Sequence, residues 1–355
     1  MSRNSVKVWP VARASFVGLS LAAFVGGAPA GAAQAHFAEP VAIAVEGSHV
    51  WVANVLGNSV TELDAATGSV VRVIDARADD FKTPIAIAVE GSHVWVVNDG
   101  VTGNPRGTGS ITELDATTGD LIRVISIHAA RLDNPAAVAA SGNHVWVTNL
   151  ATSASGGWVT DLDESTGSVR GVVDAVADAF DGPVAIAVSG GNVWIASSGA
   201  KNYYGDGRGV GSVTEIDATT GRIVRVITAQ SAPFDEPTAV VISGSDVWVA
   251  NLDFSSIVEL SATSGSVLRD IRANSLNQPL AMAVDAEHLW VANFFGNSVT
   301  EFAKSTGTVV RVIGAGIDSP GGIALDGSHV WVTDGPINAV TELNEANGAL
   351  IRTIK

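Results

Sequence analysis

The stretch from Pro40 to Ile74, PVAIAVEGSHVWVANVLGNSVTELDAATGSVVRVI, returns with variations seven times along the 355 residues of the chain, and its reading decides the fold. It contains four short apolar runs. VAIAV ends at the Gly47-Ser48 turn, HVWVAN and SVTELDA follow, and SVVRVI is reached through the Thr67-Gly68 turn. Each run is rich in β-branched or aromatic residues and bounded by turn formers, so each is expected to be a strand, here strands A to D of one unit. A Pro and a Trp eleven residues apart mark every copy: Pro40/Trp51, Pro84/Trp95, Pro135/Trp146, Pro183/Trp194, Pro237/Trp248, Pro279/Trp290 and Pro320/Trp331. A lone four-stranded sheet cannot bury both faces, so the copies must pack face to face. Four strands per unit and seven units predict an all-β protein, a seven-bladed β-propeller of four-stranded antiparallel blades. A linear solenoid would need polar capping repeats, and the end copies here read like the others.

Strand A supports radial convergence. Ala42, Ala86, Ala137, Ala185, Ala239, Ala281 and Gly322 come two residues after each Pro, and larger residues such as Ile43, Ile87 and Met282 alternate with them, as a wedge with a crowded inner edge requires. Three residues before each Pro stands Phe37, Phe81, Leu132, Phe180, Phe234, Leu276 or Ile317, expected to plug the handover between blades. Repeat 1 opens at Pro40 and repeat 7 runs to the ALIRTIK end. Each blade is therefore expected to come from contiguous chain, with the ring closed by face packing of blade 7 on blade 1.

Residues 1–35 read as a signal peptide preceding a propeller of residues 36–355. Arg3, Lys7 and Arg13 precede an apolar stretch from Ala14 to Val25, and Ala33-Gln34-Ala35 supplies a cleavage site before His36, with Ala28-Pro29-Ala30 as an earlier option. The stretch is shorter than the about 20 residues a membrane span needs; an uncleaved anchor is the alternative. Cleavage near Ala35 would leave a secreted or otherwise extracytoplasmic protein with no membrane span. Of the 20 basic residues three lie in the leader, leaving 17 against 36 acidic ones, a formal charge of −19. Such a surface repels phosphate backbones, so no nucleic-acid partner is expected. The chain has no Cys, which excludes disulfides and thiolate chemistry.

The WVAN, WVVN and WVTN runs, the NSV start of strand C and the DATTG turns resemble the YVTN/NHL-type (YncE-like) bacterial β-propeller repeats over the whole mature chain. That resemblance implies the fold and leaves function open, because such propellers host binding modules and enzymes alike. More distantly the blades are similar to virginiamycin B lyase-like propellers. The likeness implies a His general base and carboxylate-held Mg²⁺ near the central face.

Most chemistry-bearing residues follow the repeat. The Trp series is expected to be inter-blade core. His49, His93, His144, His288 and His329 all stand two residues before a repeat Trp, with Asn192 and Asp246 in the other blades, which disperses them around a ring. Strand C carries Glu62, Glu113, Asp161, Glu215, Glu259, Glu301 and Glu342; strand D carries Arg72, Arg123, Arg225, Arg269, Arg311 and Arg352. Blade 3 has both the shortened acid, Asp161, and Gly171 in place of Arg, so acid and base are expected to face each other across the C–D hairpin. As exposed pairs they would contribute about 0.2 to 1 kcal/mol each.

Ligand recognition is expected where the repeat is broken. The B–C and D–A loops emerge on one face, and the B–C loops of blades 2 and 4 are long. Tyr203 and Tyr204, with Lys201, Asp206 and Arg208, lie in the blade 4 loop, and Arg106 lies in the blade 2 loop. Trp158 follows the blade 3 loop, Phe254 lies in that of blade 5, and Phe294 and Phe295 lie in that of blade 6. Asp133, Asp181, Asp235 and Asp318 precede the Pro residues and could form an acidic crown; they are weak metal candidates, since equally they could serve the turns. The expectation is a monomeric, exported, non-enzymatic scaffold binding a protein or carbohydrate ligand through the loop face, with no cofactor. The alternative is a metal-assisted lyase or hydrolase on that same face.

Overall fold

The structure is a computed structural model, which describes residues 36–75, 81–100, 109–126, 132–150, 156–174, 179–199 and 211–355. Blade 1 consists of β1 (Pro40–Glu46), β2 (His49–Asn54), β3 (Ser59–Asp64) and β4 (Val70–Asp75), paired in that order as an antiparallel sheet. Six further four-stranded sheets follow, every one from consecutive strands, and the last comprises Pro320–Leu325, His329–Asp334, Ala339–Asn344 and Leu350–Ile354. The described residues thus form the expected seven-bladed propeller with each blade drawn from contiguous chain. Among the described residues no outer strand is borrowed from before Pro40.

Packing between blades holds the ring. Each seam has its own apolar cluster: Trp51, Val60 and Phe81 pack with Val94, Val96 and Leu114 of blade 2. At the closing seam Trp331 and Val340 of blade 7 meet Phe37, Val50, Val52 and Leu63 of blade 1. All seven repeat Trp side chains are fully buried. Burying a Trp removes roughly 200 Å² from water, or about 5 kcal/mol before the entropy of ordering the chain is counted. The pre-Pro apolar series from Phe37 to Ile317 is buried throughout and fills the handover between neighbouring blades, as expected.

Strand A of blade 7 runs close to strand A of blade 1 at Gly322. A Cβ on Gly322 would lie 3.0 Å from the Val41 carbonyl oxygen and 3.3 Å from the Ala42 Cα, so this seam has room for glycine where the other blades carry alanine.

Candidate functional site

The A–B and C–D turns form one end of the ring, and the repeated charges are locked there. Glu62 pairs in register with Trp51 on one side and Arg72 on the other. Its carboxylate is fully buried, with Arg72 Nε at 2.7 Å and His49 Nδ1 at 2.6 Å. Arg72 then crosses the seam and donates an Nη2 hydrogen to the Thr117 carbonyl of blade 2 at 3.1 Å. The pattern repeats. Glu113 holds Arg123 at 2.6 Å and His93 at 2.7 Å, and Arg123 donates to Ser165 O of blade 3 at 2.8 Å. Arg225 and Arg311 sit 2.6 Å from Glu215 and Glu301, and donate to Thr263 O and Ala346 O of the following blades.

The acid and base do face each other, but the expectation of exposed pairs is corrected. These carboxylates are buried, and burial pushes Glu113, Glu215, Glu301 and Glu342 above the ordinary carboxylate range against the pull of their Arg partners. The strand pattern alone hides this, because the neighbouring blade supplies the cover. His49, His93 and His144 are hydrogen-bonded to these acids, His288 Nε2 lies 3.5 Å from Glu301, and His329 bonds to Asp326 at 2.9 Å.

The opposite end carries the B–C and D–A loops. In every blade the residue before the Pro adopts a left-handed conformation, with φ between 49° and 69°: Glu39, Thr83, Asn134, Gly182, Glu236, Gln278 and Ser319. In blades 1 to 6 its carbonyl accepts the amide hydrogen of a B–C loop residue in its own blade, as Glu39 O does from Val55 at 3.0 Å and Gln278 O from Phe294 at 3.0 Å. In blades 1, 2, 6 and 7 its own N–H is donated to the previous blade. Thr83 donates to Asn58 Oδ1 at 2.7 Å, Ser319 to Asn297 Oδ1 at 2.8 Å, and Glu39 to Asn338 Oδ1 at 2.8 Å, the last bond tying blade 7 to blade 1. Asn is suited to this place because it is itself left-handed there, at φ 45°, 46° and 50° for Asn58, Asn297 and Asn338.

Blades 2, 3 and 4 solve the same handover with Gly109, Gly157 and Gly211. A Cβ on these glycines would run into the next blade's Pro135, Pro183 or Pro237 at 2.2, 2.5 and 2.2 Å. The three variable loops therefore end on glycine posts pressed against the following blade.

Tyr203, Tyr204, Lys201, Asp206, Arg208 and Arg106 lie outside the described residues. Trp158 is the half-buried first residue of its strand C, opposite Asn149. Phe254 is 44% exposed beneath the Arg272 guanidinium, 5.1 Å from its ring centre. Phe295 is 50% exposed and packs at 5.1 Å on the half-buried Phe294. Leu56, also 50% exposed, occupies in blade 1 the repeat position of Phe295, so alignment of the repeats is the signal that marks it.

Asp133, Asp235 and Asp318 each donate a backbone N–H to the strand B side chain of their own blade: Asn149, Asn251 and Asp334 at 3.0, 3.3 and 3.1 Å. Asp181 supplies a carbonyl to Gly199 N at 2.8 Å. All four thus serve the turns through their backbone. Among the described residues no group of three or more His, Cys, Asp or Glu side chains could hold a metal ion. Burial perturbs two further acids at this end. Glu236 bonds to the Asp253 carboxylate and is pushed up to about 7 by burial, Asp253 and Asp235. Asp334 is pushed up to about 6 by burial, against the pull of Thr341.

No family model matches the chain. No curated protein matches it either. Among solved structures it is similar to hydrazine synthase of Kuenenia stuttgartiensis, at 18% identity and a TM-score of 0.70 over 90% of this chain and 99% of that one. It is also similar to a streptogramin B lyase, at 14% identity and a TM-score of 0.68 over 87% and 94% of the two chains. A catalytically inactive virginiamycin B lyase from Staphylococcus aureus, with quinupristin, aligns at 14% identity and 0.68 over 87% and 96%. At these identities the likeness establishes the propeller fold alone.

Proposed function

We propose that the chain is an exported, non-enzymatic binding scaffold that engages a protein or carbohydrate partner through its loop face as a monomer. One observation carries the reading. At the turn end the repeated Glu and Arg side chains of blades 1, 2 and 4 pair with each other in staples, whereas at the loop end the B–C loops depart from the repeat in length and sequence, with Phe254, Phe295 and Leu56 exposed and three loops ending on glycine posts. A fixed platform carrying variable loops suits recognition, because rigid ends lower the ordering cost of binding. In this reading Tyr203 and Tyr204 of the blade 4 loop are the central recognition residues, with Lys201, Arg208 and Arg106 supplying positive charge to an acidic molecule.

Loop replacement tests the reading. Residues 101–108 and 200–210 are each exchanged for a short turn of the blade 1 type, and folding is checked by thermal melt. Loss of partner binding with an unchanged melt is expected; retained binding would overturn the assignment. A stoichiometric divalent ion in the purified protein would favour the lyase or hydrolase reading instead. Export is tested by sequencing the N-terminus of protein recovered outside the cytoplasm, which should begin at His36.

A further inference from the structure

Six of the seven seams are stapled by an arginine that lies over a glycine of the next blade. A Cβ on Gly119, Gly167, Gly265, Gly307, Gly348 or Gly68 would meet Arg72, Arg123, Arg225, Arg269, Arg311 or Arg352 at 2.7 to 3.2 Å. The seam between blades 3 and 4 differs. Gly171 replaces the arginine, and a Cβ on either Gly171 or its counterpart Gly221 would meet nothing within 4 Å. The acid below is also shortened, from Glu to Asp161, which draws the carboxylate back by one methylene and deepens the opening.

The rest of the receptor remains. Asp161 is buried, and both of its oxygens lie 3.0 Å from His144 Nδ1. His144 is stacked on Trp146 at 5.8 Å. The Thr219 carbonyl stands in the turn position that Thr117, Ser165 and Thr263 use to accept the arginine of the preceding blade. Arg170, one residue earlier in the strand, does not fill the place. It turns away to Asp163, 2.8 Å from Nη1, leaving Nε at 4.0 Å from Asp161. Burial holds Asp161 above the ordinary carboxylate range in spite of His144 and Arg170.

We propose that this seam is a binding site for a guanidinium group, the arginine side chain of a partner protein, seated over Gly221 with hydrogen bonds to Asp161 and the Thr219 carbonyl. The ligand class follows from the repeat itself, since six copies of the same surroundings already hold a guanidinium. A planar fork of N–H donors satisfies a carboxylate and a carbonyl together, which a compact ammonium cannot do with the same geometry. At the equivalent place in blade 5 the Arg269 guanidinium lies 5.4 Å from the Trp248 ring centre, so Trp146 offers a corresponding face. The site lies apart from the loop face and stands independently of the binding surface proposed there.

The test uses N-butylguanidinium as probe and the thermal melt of the mature protein as readout, with N-butylammonium as control. A saturable rise in Tm is expected with the guanidinium, and at least tenfold weaker binding with the ammonium. In Gly171→Arg, which restores the repeat, the rise should vanish and the melt without probe should move up by a few degrees. Asp161→Asn, nearly isosteric, should also lose the response. The proposal is overturned by no saturable response in the parent, by an equal response in Gly171→Arg, or by a Gly171→Arg protein no more stable than the parent.

Discussion

Asp334→Asn should stabilise the protein at neutral pH. Strand B ends in Asn54, Asn98, Asn149, Asn251 and Asn293 in five blades, in Ser197 in blade 4 and in Asp334 in blade 7. In blade 1 the Asn54 Nδ2 group donates to Thr61 Oγ1 at 3.0 Å, leaving the Thr61 hydroxyl hydrogen for the His36 carbonyl at 2.6 Å. In blade 7 Thr341 Oγ1 lies 2.6 Å from Asp334 Oδ2 and 3.0 Å from Gly316 O, and one hydroxyl hydrogen cannot serve two acceptors. A protonated Asp334 restores the relay by donating to Thr341. Burial and the nearby Asp318 favour that form, which places the carboxyl at about 6 against an ordinary 3.8.

Because the folded value is raised, the chain gains stability as pH falls from above about 6 toward 4, and lacks that gain at pH 7.5. The shift amounts to about 3 kcal/mol at roughly 1.4 kcal/mol per unit. Asn makes the same bonds at any pH, so the variant should be more stable than the parent by up to about 3 kcal/mol at pH 7.5, or roughly 4 °C in Tm for a ring of this size. The difference should shrink toward zero at pH 4. Glu236 and Glu345 are also pushed up, to about 7, so the readout is parent minus variant at each pH, in which their contributions cancel. A variant no more stable at pH 7.5, or a difference that does not change with pH, would refute the reasoning.

Arg72→Met leaves the buried Glu62 with His49 alone, and should cost about 3–5 kcal/mol in denaturant unfolding; a loss below about 1 kcal/mol would show the staple to be an ordinary surface pair. Gly322→Ala presses a methyl group against the blade 1 backbone at 3.0 Å and should destabilise by about 1–3 kcal/mol, with faster amide exchange at the closing seam as the local readout. Asn338→Ala removes the bond to Glu39 N and a residue suited to a left-handed backbone. It should cost about 1 kcal/mol, whereas Asn58→Ala, at an interior seam, should open the ring no more readily.

The period was legible because every copy carries the same anchors. Pro40, Pro84 and Pro135 each open a strand A where the repeat placed one, and the joint departure of Asp161 and Gly171 correctly paired acid with base. What one repeat cannot show is its neighbour. Glu62 reads as half of a hairpin pair until blade 2 closes over Arg72, so its burial was missed. Asn58 belongs to the NSV signature, yet its clamp on Thr83 depends on the adjacent blade and on a left-handed backbone. Asp334 was visible as a departure from Asn, but its meaning comes from being enclosed. On the loop face, Phe254 and Phe295 are exposed, and Trp158 stands directly after the blade 3 loop as the half-buried first residue of its strand C.

The central claim, that the loop face is the recognition surface, is tested most directly by the affinity of Tyr203→Ala/Tyr204→Ala for a partner isolated with the parent protein. If both tyrosines are contact hot spots of about 2 kcal/mol each, the folded double variant should bind roughly 500- to 1,000-fold more weakly, at tenfold per about 1.4 kcal/mol, with an unchanged melt. Undiminished affinity in a well-folded double variant would contradict the account.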